Sequence, residues 1–152
     1  MQPAALLERI YLAYLPIATR QGVEIILNVP GVSPSILVDE GRMLQVLKNL
    51  VENALRYTPE GGKITLSAMA GDNIQVKVED TGAGIDPEDS PFVFDRFFRA
   101  DKARGVGAGK MGLGLAISKA LVMAQGGTIT AKSAGKDQGT SMIISFDPAT
   151  VA

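Results

Sequence analysis

The chain contains no cysteine and no histidine. Without cysteine there are no disulfides and no thiol chemistry, although no compartment follows from that. Without histidine the commonest general base and the commonest transition-metal ligand are both missing. Aromatic residues make up only 5% of the chain, with no tryptophan, too few for a surface that stacks nucleic-acid bases. Charge of one sign is also lacking: 15 Lys and Arg face 16 Asp and Glu, for a net charge of -1. No overall field therefore recruits nucleic acid or an anionic membrane. The apolar runs are short and interrupted and the N-terminus has no signal-peptide pattern, so the expected location is cytoplasmic.

What remains is an ordinary core-forming composition: 152 residues, 46% hydrophobic and 20% charged, which predicts one domain. Leu6, Leu7, Ile10, Tyr14 and Ile17 recur at helical spacing and predict a helix over 4–20, which Pro16 should bend or end. VEIILNV from Val23 and SILVD at 35–39 read as two short strands. A long helix is expected from Asp39 to about Tyr57, stopped by Thr58-Pro59-Glu60-Gly61-Gly62. KITLSAMA and NIQVKVED alternate with period two around a Gly71-Asp72 turn, a hairpin signature. The loop-rich stretch from Thr81 to about Lys110 carries a short helix near 87–94. LGLAISKALVMAQ is helical up to Gly126-Gly127, and GTITAKS with GTSMIISF forms a second hairpin. Helices interleave with hairpins instead of single strands, which excludes a doubly wound parallel sheet. The expected fold is α/β (α+β): a two-layer sandwich of a mixed, mainly antiparallel β-sheet with about three main helices on one face.

Within LKNLVENALRYTPEGG, residues 47–62, two asparagines stand four apart on the long helix. At 100° per residue Arg42, Gln45, Asn49, Glu52, Asn53 and Arg56 share one arc, opposite Leu44, Leu47, Leu50, Val51, Ala54 and Leu55. A merely solvated face would explain polarity, but solvent rewards Lys and Glu over two mediocre helix formers. An amide oxygen is a neutral hard ligand for Mg²⁺, and Arg56 beside it suits a phosphate.

Two glycine-rich loops follow. DTGAGID, 80–86, leaves a strand with glycines at 82 and 84; it is either a turn with an Asx-type hydrogen bond or a backbone cradle for a ligand. GVGAGKMGLG, 105–114, holds five glycines in ten positions and leads into a helix, so it is either a flexible loop or a phosphate cradle. A Walker A loop is excluded, because Arg104 stands where its first glycine belongs and Met111 follows Lys110. Between the two loops, FDRFFRADKARG alternates Phe94, Phe97 and Phe98 with Arg96, Arg99, Lys102 and Arg104.

The order Asn-Leu-Val-Glu-Asn-Ala-Leu-Arg-Tyr-Thr-Pro, Asp-Thr-Gly-Ala-Gly-Ile, Phe-Asp-Arg-Phe-Phe-Arg, Gly-Leu-Gly-Leu-Ala-Ile and a last Gly-Thr resembles the catalytic ATP-binding domain of bacterial sensor histidine kinases. That family shares a superfamily with the gyrase, MutL and heat-shock chaperone ATPases. The resemblance runs from about Pro3 to Asp147 and implies ATP and Mg²⁺ as cofactors. It implies that Asn53 coordinates Mg²⁺, that Asn49 lies beside the phosphates with Arg56 contacting them, and that Tyr57 packs near the nucleotide. Asp80 matches the aspartate that accepts from the adenine amino group, in a pocket shaped by Gly82, Gly84 and Ile85. Arg96 and Arg99 match arginines of which one reaches the γ-phosphate. Gly112, Leu113, Gly114 and Leu115 match the glycine box ending a flexible ATP lid, about 95–111, and Thr140 the threonine near adenine. Lys110 joins the phosphate contacts on the character of the loop alone.

The function so implied is donation of the γ-phosphoryl group of Mg-ATP to a histidine on a separate helical dimerisation domain, in two-component signal transduction. Since this chain has no histidine, the acceptor must lie elsewhere, in the same or a partner kinase, and a response regulator would be served indirectly. Residues 1–152 are then a single catalytic domain without that helical domain, expected to be monomeric, inactive alone and cytoplasmic, free or as part of a membrane-anchored sensor. Gyrase-type relatives carry glutamate at the Asn49 position as general base for water; an amide cannot take that proton. Slow hydrolysis is expected, with Asn49, Arg56 and Arg99 as the catalytic group. The alternative is a degenerate, non-catalytic ATP-sensing domain that regulates a partner.

Overall fold

The computed structural model describes residues 1–29, 35–95 and 114–147. Along them run α1 (Pro3–Arg20), β1 (Glu24–Asn28), α2 (Glu40–Tyr57), β2 (Lys63–Ala70), β3 (Ile74–Asp80), α3 (Gly114–Ala124), β4 (Gly127–Lys132) and β5 (Thr140–Phe146). Both expected hairpins form: β2 pairs antiparallel with β3 from Ala70↔Ile74 to Ile64↔Asp80, and β4 with β5 from Lys132↔Ser141 to Gly127↔Phe146. They meet through an antiparallel β3–β5 pair, and β1 runs parallel to β2, giving one sheet in the order β1-β2-β3-β5-β4. A parallel pair needs a crossover, and α2 supplies it.

Period-two alternation turns one row of apolar side chains inward across the strands: Leu66, Val78 and Met142 in one register line, Ala68, Val76 and Ile144 in the next. Against this face pack Leu6, Leu7, Ile10 and Tyr14 of α1, Met43, Val46, Leu47, Leu50, Val51 and Ala54 of α2, and Val122 of α3. Each fully buried Leu or Val stabilises by about 1.5–3 kcal/mol, far more than the tenths that helix propensity contributes per residue. The apolar arc therefore holds α2 in place. The result is the expected two-layer sandwich.

Two local expectations fail for physical reasons. SILVD is no strand. Only Ile36 bridges, exchanging backbone hydrogen bonds with Met1 (2.8 and 2.9 Å) while its side chain is buried, and Asp39 already caps α2 by accepting from Arg42 N–H at 2.9 Å. The short helix near 87–94 is a single 3-10 turn, Ser90–Phe92; Pro91 has no N–H to bond back to Pro87, which breaks an α ladder. Conversely, α1 runs on through Pro16. Pro16 and Leu12 both face solvent, where water can serve the Leu12 carbonyl that Pro16 leaves without a donor.

Candidate functional site

The end of α2 and the exit of β3 are tied at backbone level. Ala83 N–H donates to the Tyr57 carbonyl at 2.9 Å, closing one of the acceptors that a helix C-terminus leaves open. The approach needs glycine at 82, because a Cβ there would sit 2.2 Å from the Tyr57 oxygen. Beside this junction opens a cleft of about 780 Å³, bounded by the end of α2, the 80–86 loop, the first turn of α3 and the β4–β5 loop.

Among the residues singled out from sequence, Asn53, Arg56, Tyr57, Asp80, Gly82, Gly84, Ile85, Leu115 and Thr140 line this cleft. Asn49 does not: its side-chain N–H group points to α3, 3.5 Å from the Gly114 carbonyl and 3.4 Å from the Ser118 hydroxyl. Gly114, the first residue of α3, is thus a neighbour of Asn49 and not a lining residue. Arg96, Arg99, Lys110, Gly112, Leu113 and the expected lid beyond Asp95 lie outside the described residues.

The polar arc of α2 consequently divides three ways. Glu52 accepts from the Tyr14 hydroxyl of α1 at 2.9 Å, and burial, that bond and the carboxylate's charge together push the phenol well above its ordinary pKa. Asn49 serves α3, while Asn53 and Arg56 face the cleft, with no side-chain hydrogen bond or ion pair among the described residues. This face is not simply solvated.

At the other end of the cleft Asp80 Oδ1 accepts from Gly82 N–H at 2.9 Å, the Asx-type bond expected of an Asp-x-Gly turn. Burial raises the Asp80 pKa, and the backbone N–H groups of Gly82 and Thr140 pull it part of the way back. Several lining residues carry no signal in the sequence. Lys136 and Asp137 of the β4–β5 loop read as an ordinary turn between Gly135 and Gly139, yet Asp137 N–H donates to the Ala83 carbonyl at 2.6 Å, which brings that loop onto the cleft. Thr58 reads as a helix stop; it is 5% exposed, lines the cleft, and its hydroxyl is buried without a partner among the described residues. Pro59, Thr81, Ala83, Asp86, Asp89, Val93 and Met142 complete the lining.

A half-buried carboxylate lining the same cleft as an amide and a guanidinium that have no side-chain partner among the described residues suits a ligand that carries both a hydrogen-bond donor and negative charge. The comparisons agree with that shape. The chain belongs to the histidine kinase-, DNA gyrase B- and HSP90-like ATPase family, whose model matches residues 38–150. It is 45% identical over 116 residues to the sensor histidine kinase WalK of Bacillus subtilis, covering 74% of this chain and 19% of that protein. It is 40% identical over 147 residues to the sensor protein SrrB of Staphylococcus aureus, covering 95% of this chain and 25% of that protein. The crystal structure of full-length ShkA in complex with AMPPNP superposes with a TM-score of 0.83 at 32% identity, covering 100% of this chain and 31% of that one. The chain thus spans 19% to 25% of the length of these two curated relatives. The matched region is the ATP-binding catalytic part of sensor histidine kinases. No helix among the described residues is long and apolar enough to cross a membrane.

Proposed function

We propose that the chain binds Mg-ATP in this cleft and donates the γ-phosphoryl group to a histidine on a separate helical dimerisation domain, as the catalytic module of a two-component sensor kinase. The observation that carries the reading is that half-buried Asp80 lines one cleft together with Asn53 and Arg56. Adenine presents an amino donor to the Asp80 carboxylate, and the ribose and phosphates extend toward the end of α2. A metal carried by nucleotide phosphates needs few protein ligands, and Asn53 offers a free amide oxygen at the phosphate end, so the residues present fit Mg²⁺. When bound, Mg²⁺ neutralises charge on the phosphate oxygens. Arg56 shares that work by direct pairing with phosphate, and Arg96, Arg99, Lys110 and Gly112, all outside the described residues, are assigned to it on sequence grounds.

Neither Asn53 nor Arg56, which α2 turns to the cleft, takes a proton from water. Asn49 carries an amide and is turned toward α3, so hydrolysis is slow and the γ-phosphoryl persists until an acceptor docks. An imidazole nitrogen then forms the N–P bond as the bond to the β–γ bridging oxygen breaks and ADP leaves. The test has two arms. Calorimetry should show Mg-AMPPNP binding to the chain, and mixing the chain with Mg-ATP and a purified histidine-bearing dimerisation domain should put acid-labile phosphate on that domain. Binding without transfer would favour a non-catalytic ATP sensor; no binding would sink both readings.

A further inference from the structure

The base end of the cleft is made by two loops that meet backbone to backbone. Gly139 N–H donates to the Gly82 carbonyl (3.1 Å) and Asp137 N–H to the Ala83 carbonyl (2.6 Å). One side chain ties this contact together. The Ser133 hydroxyl oxygen accepts from Ile85 N–H (3.0 Å) and Gly135 N–H (3.2 Å), and its proton goes to the Gly139 carbonyl (2.7 Å), with the Gly135 carbonyl a longer alternative (3.1 Å). A hydroxyl has one proton and two lone pairs, so its capacity is fully used. Gly84 sits inside the same junction with φ +68°, where a Cβ would meet the Gly135 oxygen at 2.1 Å and Ser133 Oγ at 3.1 Å. Ile85, Gly84, Asp137 and Thr140 line the cleft, whereas Ser133 does not.

We propose that Ser133 is a positioning residue for base recognition. It holds the 82–85 loop against the 133–139 loop, fixing where Gly82 anchors the Asp80 carboxyl and hence which base edge the pocket accepts. The proposal rests on reading the cleft as a nucleotide site. A hydroxyl serving only its own hairpin would have no need of Ile85, 48 positions back in sequence; the β4–β5 ladder already closes at Lys132↔Ser141.

The experiment compares wild type, Ser133→Ala and Ser133→Thr by amide hydrogen exchange without nucleotide and by calorimetry with ADP and GDP. Ser133→Ala should speed exchange at Ile85. It should also weaken ADP about tenfold, the loss expected for one well-made hydrogen-bond anchor, while weakening GDP less. The ADP-over-GDP preference therefore contracts, and Ser133→Thr, which keeps the hydroxyl, restores it. A lower melting temperature with the preference intact would make Ser133 merely structural and overturn the proposal. If Ser133→Ala does not fold, Ser133→Cys, with similar volume and a weaker donor, gives the same comparison. Wild type binding neither nucleotide would end the nucleotide reading and this proposal with it; wild type discriminating while the alanine variant discriminates equally would end the proposal alone.

Discussion

The two ends of the cleft are built from different materials. The end proposed to take the base is backbone: Gly82, Ala83, Ile85, Asp137 and Gly139 spend their amide and carbonyl groups on each other and on Ser133, and Asp80 is already held by Gly82. The phosphate end is side chain: Asn53 and Arg56 project from the last turns of α2 with no side-chain partner among the described residues. A wall whose hydrogen bonds are satisfied before the ligand arrives can reject a wrong base, because nothing in it is free to adapt. A wall of unpaired polar side chains supplies attraction instead.

The sharpest way to break the base end is Asp80→Ala. It removes the proposed acceptor for the base, and losing a hydrogen bond to a charged group in a partly buried pocket costs about 1–3 kcal/mol, or about ten- to a hundredfold in ATP affinity by calorimetry. Asp80→Asn separates binding from stability. Burial raises the folded-state pKa of Asp80, so the folded chain holds that proton to higher pH than the unfolded chain. Stability is therefore lost as pH rises from the ordinary carboxylate value through the folded one, and the loss is complete above it. The asparagine variant, with no charge to bury, should melt above wild type at pH 7, and the gap should close on acidification. A gap that widens toward low pH would contradict a raised pKa.

Next in size is Gly84→Ala. It forces a side chain into the left-handed region and onto the Gly135 oxygen, for about 2 kcal/mol of lost stability together with weaker ATP binding. Gly61→Ala is the control: its φ is +91° but nothing lies within 4 Å, so it should cost only about 1 kcal/mol of backbone strain and leave affinity unchanged. Equal losses of affinity in both would mean that the base wall is not rigid.

The phosphate end should respond in the opposite way. Asn53→Ala is expected to lower Mg-ATP affinity about tenfold while stability stays within about ±0.5 kcal/mol, and ADP binding measured in EDTA should not change. A large drop in melting temperature with Mg-ATP affinity intact would assign Asn53 to the fold instead. The smallest effect carries the opposite sign. Thr58→Val replaces a hydroxyl buried without a partner among the described residues by a methyl group and should raise stability by about 1 kcal/mol, as a urea midpoint would register. A destabilised variant would mean that the hydroxyl has a partner in solution.

Several features were legible because they are local. Alternation in KITLSAMA and NIQVKVED across a Gly-Asp turn specifies a hairpin whatever surrounds it, and Asp39 followed by an apolar arc specifies the start and buried face of α2. The motif order was equally readable as a family signature, and three of its polar residues, Asn53, Arg56 and Asp80, line one cleft. SILVD was misread because a five-residue apolar run is compatible with a strand or with one side chain buried beside a helix cap, and length alone does not choose.

Direction around a helix was not readable to the same depth. Asn49, Glu52 and Asn53 share one polar arc in sequence, yet they turn to α3, α1 and the cleft respectively, because what an arc faces is set by the elements packed on either side of it. Nor could the 133–139 loop be tied to the site, since its bonds to Gly82, Ala83 and Ile85 exist only because β5 inserts between β3 and β4. The sequence alone determined the elements, the buried faces and the residue types suited to nucleotide chemistry, all encoded within a few turns or a hairpin. Which of those residues look into the cleft, and which distant loop braces it, was decided by strand order and helix packing, where contacts some 50 positions apart outweigh local preference.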